Sequence, residues 1–136
     1  AALVLWGNDI DETTTPFEAG LGWVVSLDDG AEFVGRDALV RIKAAGPARK
    51  LTCLKAMDRG VIRGHYPILR HGEQVATVAS GGFSPTLGAS IAMAYLPLDL
   101  AQYWTELDVD VRGRMLRVVV VRRPFVSKSG GEHQTP

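Results

Sequence analysis

The sequence is short of the residues that most directly advertise chemistry. Among its 136 residues there are one cysteine and three histidines. The single cysteine, Cys53, excludes an intrachain disulfide. Nothing around it has metal-ligand spacing, so it reads as a small buried hydrophobe in a strand. Neither sign of charge dominates: 15 basic residues balance 15 acidic ones, which argues against nucleic-acid binding by bulk electrostatics. Arg112, Arg114, Arg117, Arg122, Arg123 and Lys128 do crowd the C-terminal end, and they read as solvent-facing positions on a strand rather than a dedicated anion site. No apolar run approaches a membrane-spanning helix, no signal-peptide pattern is visible, and there is no internal repeat. A reducing, soluble compartment is expected. The chain also lacks an initiator methionine, and polar clusters crowd its first residues. The expectation is that a site here is shared with residues upstream of Ala1.

What is present is a globular composition. Apolar residues make up 46% of the chain, and a chain this long buries a real core without staples. Two parts are expected. In the first, Leu21 to Leu27 reads as a short apolar strand, closed by the turn Asp28-Asp29-Gly30. A helix follows over Arg36 to Ala45, where Ala38, Leu39, Ile42 and Ala45 recur at three- and four-residue spacing. Asp37 lies in its first turn and Gly46-Pro47 stops it. The second part, from about Arg49 to Val126, reads as nearly all strand: Lys50–Met57, Tyr66–Leu69, Gln74–Ser80, Ser90–Tyr95, Glu106–Val111 and Met115–Arg122. Turns are expected at Asp58-Arg59-Gly60, His71-Gly72, Gly81-Gly82 and Arg112-Gly113-Arg114. Short strands punctuated this way point to a sandwich or small barrel. Leu107, Val109 and Val111 alternate with Asp108 and Asp110 as in a half-buried strand, whereas Val118 to Val121 reads as a central one. Leu98 to Tyr103 reads as a helical turn, and Ser127 to Pro136 as a loose polar tail.

Four segments offer polar groups for a site. Asn8, Asp9, Asp11 and Glu12 adjoin the apolar Leu3-Val4-Leu5-Trp6. Carboxylates so placed either polarise an amine or hold a metal, or else merely bond their own backbone in a turn, which the spacing favours. The calcium-loop pattern is absent. Glu18 precedes Ala19-Gly20-Leu21-Gly22-Trp23, where the two glycines allow a close approach and Trp23 is either a stacking face or, as the pattern favours, part of the core. These glycines make no dinucleotide fingerprint. Arg63 and His65 stand on a glycine-rich loop, where Arg63 is a candidate clamp for a carboxylate. Ser80-Gly81-Gly82-Phe83-Ser84-Pro85-Thr86-Leu87-Gly88 lacks the Lys-Ser/Thr ending of a P-loop and reads as a structural loop across a barrel end.

Taken together, these motifs resemble a known family. Leu5-Trp6-Gly7-Asn8-Asp9-Ile10-Asp11-Glu12-Thr13-Thr14-Thr15-Pro16 with Glu18-Ala19-Gly20-Leu21-Gly22-Trp23 is similar to the second-half signature of the glycine cleavage system T-proteins, which are aminomethyltransferases. Phe33-Val34-Gly35-Arg36-Asp37-Ala38-Leu39, Ser80 to Gly88, Ile91-Ala92-Met93-Ala94-Tyr95 and Arg123-Pro124-Phe125 continue the resemblance to about residue 126. It departs at Trp6, where the family usually has Tyr. It departs again after the last strand, where Ser127-Lys128-Ser129-Gly130 lacks the family's folate-contacting aromatic.

The resemblance implies an α+β chain. Residues 1–47 would be the end of a ferredoxin-like, folate-binding α/β domain, residues 48–126 a C-terminal antiparallel, jelly-roll-like β-barrel, and residues 127–136 a flexible tail. It implies tetrahydrofolate as cofactor, with Asn8, Asp9, Glu18 and Arg63 as the candidate pocket residues. It implies a lipoylated H-protein and the N-terminal half of the same polypeptide as partners, the essential aspartate lying in that half. No catalytic residue or metal is assigned to this chain. The implied compartment is the bacterial cytoplasm or, in a eukaryote, the mitochondrial matrix. Two other readings stay open: the folate domain of a sarcosine or dimethylglycine dehydrogenase, and a non-catalytic binding module that stands alone.

Overall fold

The computed structural model describes residues 1–30 and 32–126. Six strands form a closed antiparallel barrel: β1 (Arg49–Ala56), β2 (Pro67–Arg70), β3 (Glu73–Ser84), β4 (Ala89–Pro97), β5 (Glu106–Val111) and β6 (Arg114–Val121). Around the barrel the order is β1-β4-β3-β2-β5-β6. β1 closes it by pairing Cys53 with Val121 and Ala56 with Val118. Closure leaves no sheet edge along those residues.

The six expected strands are all present, with ends moved by a few residues. Two hairpin turns carry the backbone that tight connections require. His71 and Gly72 both have positive φ, as do Arg112 and Gly113, which matches the right-handed twist of the flanking strands. Alternation then sorts the side chains. Leu54, Ala56, Ala92, Ala94, Leu96, Leu107, Val109, Leu116, Val118 and Val120 point inward and fill the barrel. Leu51, Cys53 and Met93 point outward, where Ala2 and Phe125 cover them in a second, smaller core. Arg117 faces solvent and bonds Asp108 at 2.8 Å and Glu106 at 3.1 Å across the sheet, which holds its guanidinium above its ordinary range. Arg122 lies over the Tyr103 ring at 5.4 Å. Lys128 and the tail 127–136 lie outside the described residues.

The first 47 residues contain little regular structure. The helix α1 (Arg36–Ala45) has the expected bounds, with the Gly46 N–H bonded to the carbonyls of Ile42 and Lys43. Its apolar stripe is not buried: none of its residues is. Three expectations fail. Leu21–Leu27 is not a strand. Gly22–Val24 is a single 3₁₀ turn, and among the described residues no strand pairs with it, so its apolar character has no ladder to join. Trp23 is not core; it is 83% exposed. Gly81-Gly82 is not a turn but lies inside β3, and only Pro85–Gly88 turns. Gly81 reflects a close approach instead of a bend, whereas Gly82 stands in open space. The strap through Ile62 crosses β3, and a Cβ on Gly81 would stand 2.9 Å from the Ile62 carbonyl oxygen. Ser90 fixes the crossing, accepting from the Ile62 N–H at 2.9 Å and donating to the Gly82 carbonyl at 3.1 Å.

Gly81→Ala should therefore destabilise the barrel by about 1–3 kcal/mol, the usual cost of forcing atoms into a packed interior. Gly82→Ala, which meets nothing within 4 Å, should change stability by under ~1 kcal/mol. Urea unfolding of the two variants beside the wild type measures the difference.

Candidate functional site

Two polar loops lie against the outer face of β1 and β4. The first is a tight turn over Leu5–Ile10. The Leu5 carbonyl accepts from the N–H groups of Asn8 at 3.2 Å and Asp9 at 2.9 Å, and the Gly7 N–H reaches the Ile10 carbonyl at 2.8 Å. Gly7 has a φ of 86°, a left-handed conformation that glycine adopts at no steric cost. Asp9 closes the turn: its Oδ2 accepts from the Leu5 N–H at 3.0 Å. Asp9 is only 4% exposed, and its Oδ1 is buried with no hydrogen-bond partner. The turn thus places its carboxylate inside and two other groups outside. Trp6 is 64% exposed, and Asn8 is exposed beside it.

The second loop runs from Asp11 to Gly20. Asp11 Oδ1 accepts from the Thr13 N–H at 2.9 Å and hydroxyl at 2.6 Å, with Thr14 Oγ1 at 3.2 Å. These bonds hold the Asp11 carboxyl below its usual range. This is the self-bonded turn that the spacing favoured. Among the described residues no group of three His, Cys, Asp or Glu side chains could hold a metal. Thr15-Pro16-Phe17-Glu18 forms a reciprocal box. The Glu18 N–H donates to Thr15 Oγ1 at 3.2 Å, and the Thr15 N–H and hydroxyl donate to Glu18 Oε2 at 3.0 and 3.1 Å. The local pattern behind it, Ser/Thr followed three residues later by Glu with Pro between, went unread in the sequence and comes from the structure.

Glu18 is committed on its other oxygen as well. Arg49 Nε bonds Oε1 at 3.1 Å, and the glutamate side chain is 15% exposed. Burial pushes its carboxyl up, but the Thr15 and Arg49 bonds outweigh burial and leave it below the ordinary 4.5. Its backbone carbonyl accepts from the Leu51 N–H at 2.7 Å. Arg123 bonds the next carbonyl, that of Ala19, at 3.2 Å. The loop is thereby stitched to the barrel at β1 and just beyond β6.

The structure brings Asn8, Asp9 and Glu18 to one face of the barrel. Arg63 stands apart, on the exposed strap, in a cleft with Val61, Tyr66, Val111 and Arg112. Two residues without any local sequence signal join the first group. The Tyr95 hydroxyl donates to the Asp9 carbonyl at 2.7 Å, and the Arg49 guanidinium lies over the Tyr95 ring at 4.7 Å. Cys53, nearby in β1, is buried. Burial pushes its thiol up to about 11 against the pull of Arg123 and the chain's amino terminus, so the nucleophilic thiolate is scarce at neutral pH.

The profile of the Glycine cleavage T-protein C-terminal barrel domain matches residues 49–127, the barrel together with its exit. The chain belongs to this family. It is 49% identical over 125 residues to an aminomethyltransferase of Synechococcus sp. (strain WH7803), covering 92% of this chain and 34% of that protein. It is likewise 49% identical over 125 residues to the aminomethyltransferase of Symbiobacterium thermophilum, of which it covers 33%. The crystal structure of glycine cleavage system aminomethyltransferase T from Bartonella henselae superposes with a TM-score of 0.86 at 35% identity, over 93% of this chain and 36% of that one. This chain therefore spans about a third of the length of these relatives. Both the Synechococcus and Bartonella matches cover more than the barrel, so the irregular first part is shared too.

Because Glu18 titrates lower in the folded chain than its ordinary 4.5, its ion pair stabilises the fold above that pH. The contribution fades as the pH falls through the lower native value. Glu18→Gln should lower stability at neutral pH and flatten the loss of stability expected of the wild type below 4.5. Urea midpoints measured across that range for both proteins provide the check.

Proposed function

We propose that this chain forms the C-terminal part of the folate-binding wall in a tetrahydrofolate-dependent aminomethyltransferase of the glycine cleavage system. The reaction transfers the one-carbon unit from aminomethyl-lipoyl H-protein to tetrahydrofolate with release of ammonia. The observation that carries the reading is the Leu5–Ile10 turn in a member of this family. It displays an exposed indole and an exposed carboxamide side by side while keeping its own carboxylate inside. A flat, hydrogen-bonding heterocycle such as a pterin fits that pair: Trp6 supplies a stacking face and Asn8 both donors and acceptors.

Tetrahydrofolate, when bound, supplies the nitrogens that accept the one-carbon unit. The work of this chain is to orient and to exclude water. Trp6 and Asn8 fix the plane of the ring, and Asp9 fixes Trp6 and Asn8 by closing their turn. Glu18 is a buttress in this reading, since both its oxygens are already bonded to Thr15 and Arg49. Arg63 belongs to a separate anionic contact on the strap. Residues 1–47 act as the end of the folate-binding α/β domain. Leu3, Leu5, Trp23 and Val24, all more than 60% exposed, form the face covered by the N-terminal half of the polypeptide, which carries the essential aspartate. The chain by itself then binds folate weakly and turns nothing over.

Titration of the chain with tetrahydrofolate should quench tryptophan fluorescence saturably, and Trp6→Ala should remove most of the quench while leaving the unfolding midpoint within a few tenths of a unit. An equal quench in the variant would move the ligand away from this turn. Incubation of the chain with aminomethylated H-protein and tetrahydrofolate should release no ammonia above background. Release at an enzymatic rate would show that the chain carries its own catalytic groups.

A further inference from the structure

We propose that Tyr95 and Arg49, both on the barrel, are the positioning residues of the Trp6–Asp9 turn: they form a clamp that sets the pose in which Trp6 and Asn8 are displayed. The role of the clamp in ligand binding rests on the folate reading above.

The contacts form a closed circuit. From β4, the Tyr95 hydroxyl donates to the Asp9 carbonyl at 2.7 Å across 86 residues of sequence. From the start of β1, Arg49 lies over the Tyr95 ring at 4.7 Å and bonds Glu18 at 3.1 Å. Glu18 returns to β1 through the Leu51 N–H at 2.7 Å. Leu51 and Tyr95 are themselves register partners across β1 and β4. A phenol suits this task because its ring has few torsions to lose and its hydroxyl stays protonated; burial pushes that hydroxyl further up, against the Thr14 bond and the Arg49 charge. Guanidinium over the ring face is an attractive arrangement that also blocks ring rotation on that side.

The turn needs holding. Asp9 Oδ1 is buried without a partner, an arrangement that costs free energy and persists only where neighbouring contacts over-determine it. Released from the barrel, the carboxylate would turn to water and carry the Trp6 and Asn8 geometry with it. The clamp grips the turn by a backbone carbonyl and leaves the side chains of Trp6 and Asn8 outward, so it acts through the turn rather than on any ligand.

Tyr95→Phe keeps the ring under Arg49 and deletes only the donor. In hydrogen-exchange NMR of the whole chain, the Gly7, Asn8 and Asp9 amides should exchange about tenfold faster, while Leu54 and Val118 in the barrel stay within about twofold. Arg49→Met, which removes the ring-stacked charge and the Glu18 bond, should loosen the same amides. Tetrahydrofolate affinity of Tyr95→Phe, read from tryptophan quenching, should fall about fivefold with the thermal midpoint nearly unchanged. Unchanged turn amides in both variants would overturn the clamp. A loosened turn with wild-type folate affinity would overturn its role in positioning. Wild-type chain that shows no quench at all defeats the folate reading instead, and the amide exchange then decides the clamp on its own.

Discussion

β1 is the strand on which the rest of the structure depends, because it serves two cores at once. Its inward residues Leu54 and Ala56 fill the barrel, and its outward residues Leu51 and Cys53 seat the N-terminal segment. It pairs with β4 from Arg49 onward but with β6 only from Cys53. Its first residues would otherwise show a bare edge on one side. The Glu18 carbonyl fills that gap by taking the Leu51 N–H. A backbone donor near the interior must find an acceptor, and here the acceptor comes from the loop that the barrel is built to hold.

This arrangement separates scaffold from display. The barrel interior is apolar and closed, with Leu54, Ile62, Ile68, Val109, Val118 and Val120 fully buried. The loops that carry Asp9 and Glu18 sit on the outside of two adjacent strands. Rigid strands beneath irregular loops are a common way to fix the geometry of a site, since the strands lose no order when a ligand arrives. The same division accounts for the buried Asp9 carboxylate, which is held in place from below and shapes what stands above it.

The strands were legible in the sequence, because period-two alternation and turn residues are local signals; those signals left a sandwich and a barrel both open, and closure is a property of the tertiary structure. Leu107, Val109 and Val111 against Asp108 and Asp110 could mean little but a strand, and Gly46-Pro47 ended the helix where the chemistry of capping requires. Local signals misled where the meaning of a residue depended on a distant neighbour. Gly81 and Gly82 look like a turn, yet both lie inside β3, with Ile62 crossing close over Gly81. Leu21 to Leu27 looks like a strand, yet among the described residues no strand pairs with it. Trp23 looks like core by its size, yet its side chain lies almost wholly in solvent.

For the site, the sequence by itself determined which polar groups were available and the turn chemistry around them. Asp11 with Thr13, and Thr15 with Glu18, are bonds between near neighbours, and composition and spacing are enough to specify them. Only the tertiary structure decided what those groups face. It turned Asp9 inward and Trp6 and Asn8 outward, spent Glu18 on Arg49, and left Arg63 on a separate strap. Tyr95 and Arg49 gave no signal in one dimension because their partners lie tens of residues away. The pairing of β1 with β4 brings them together, and a register between strands cannot be read from either strand alone.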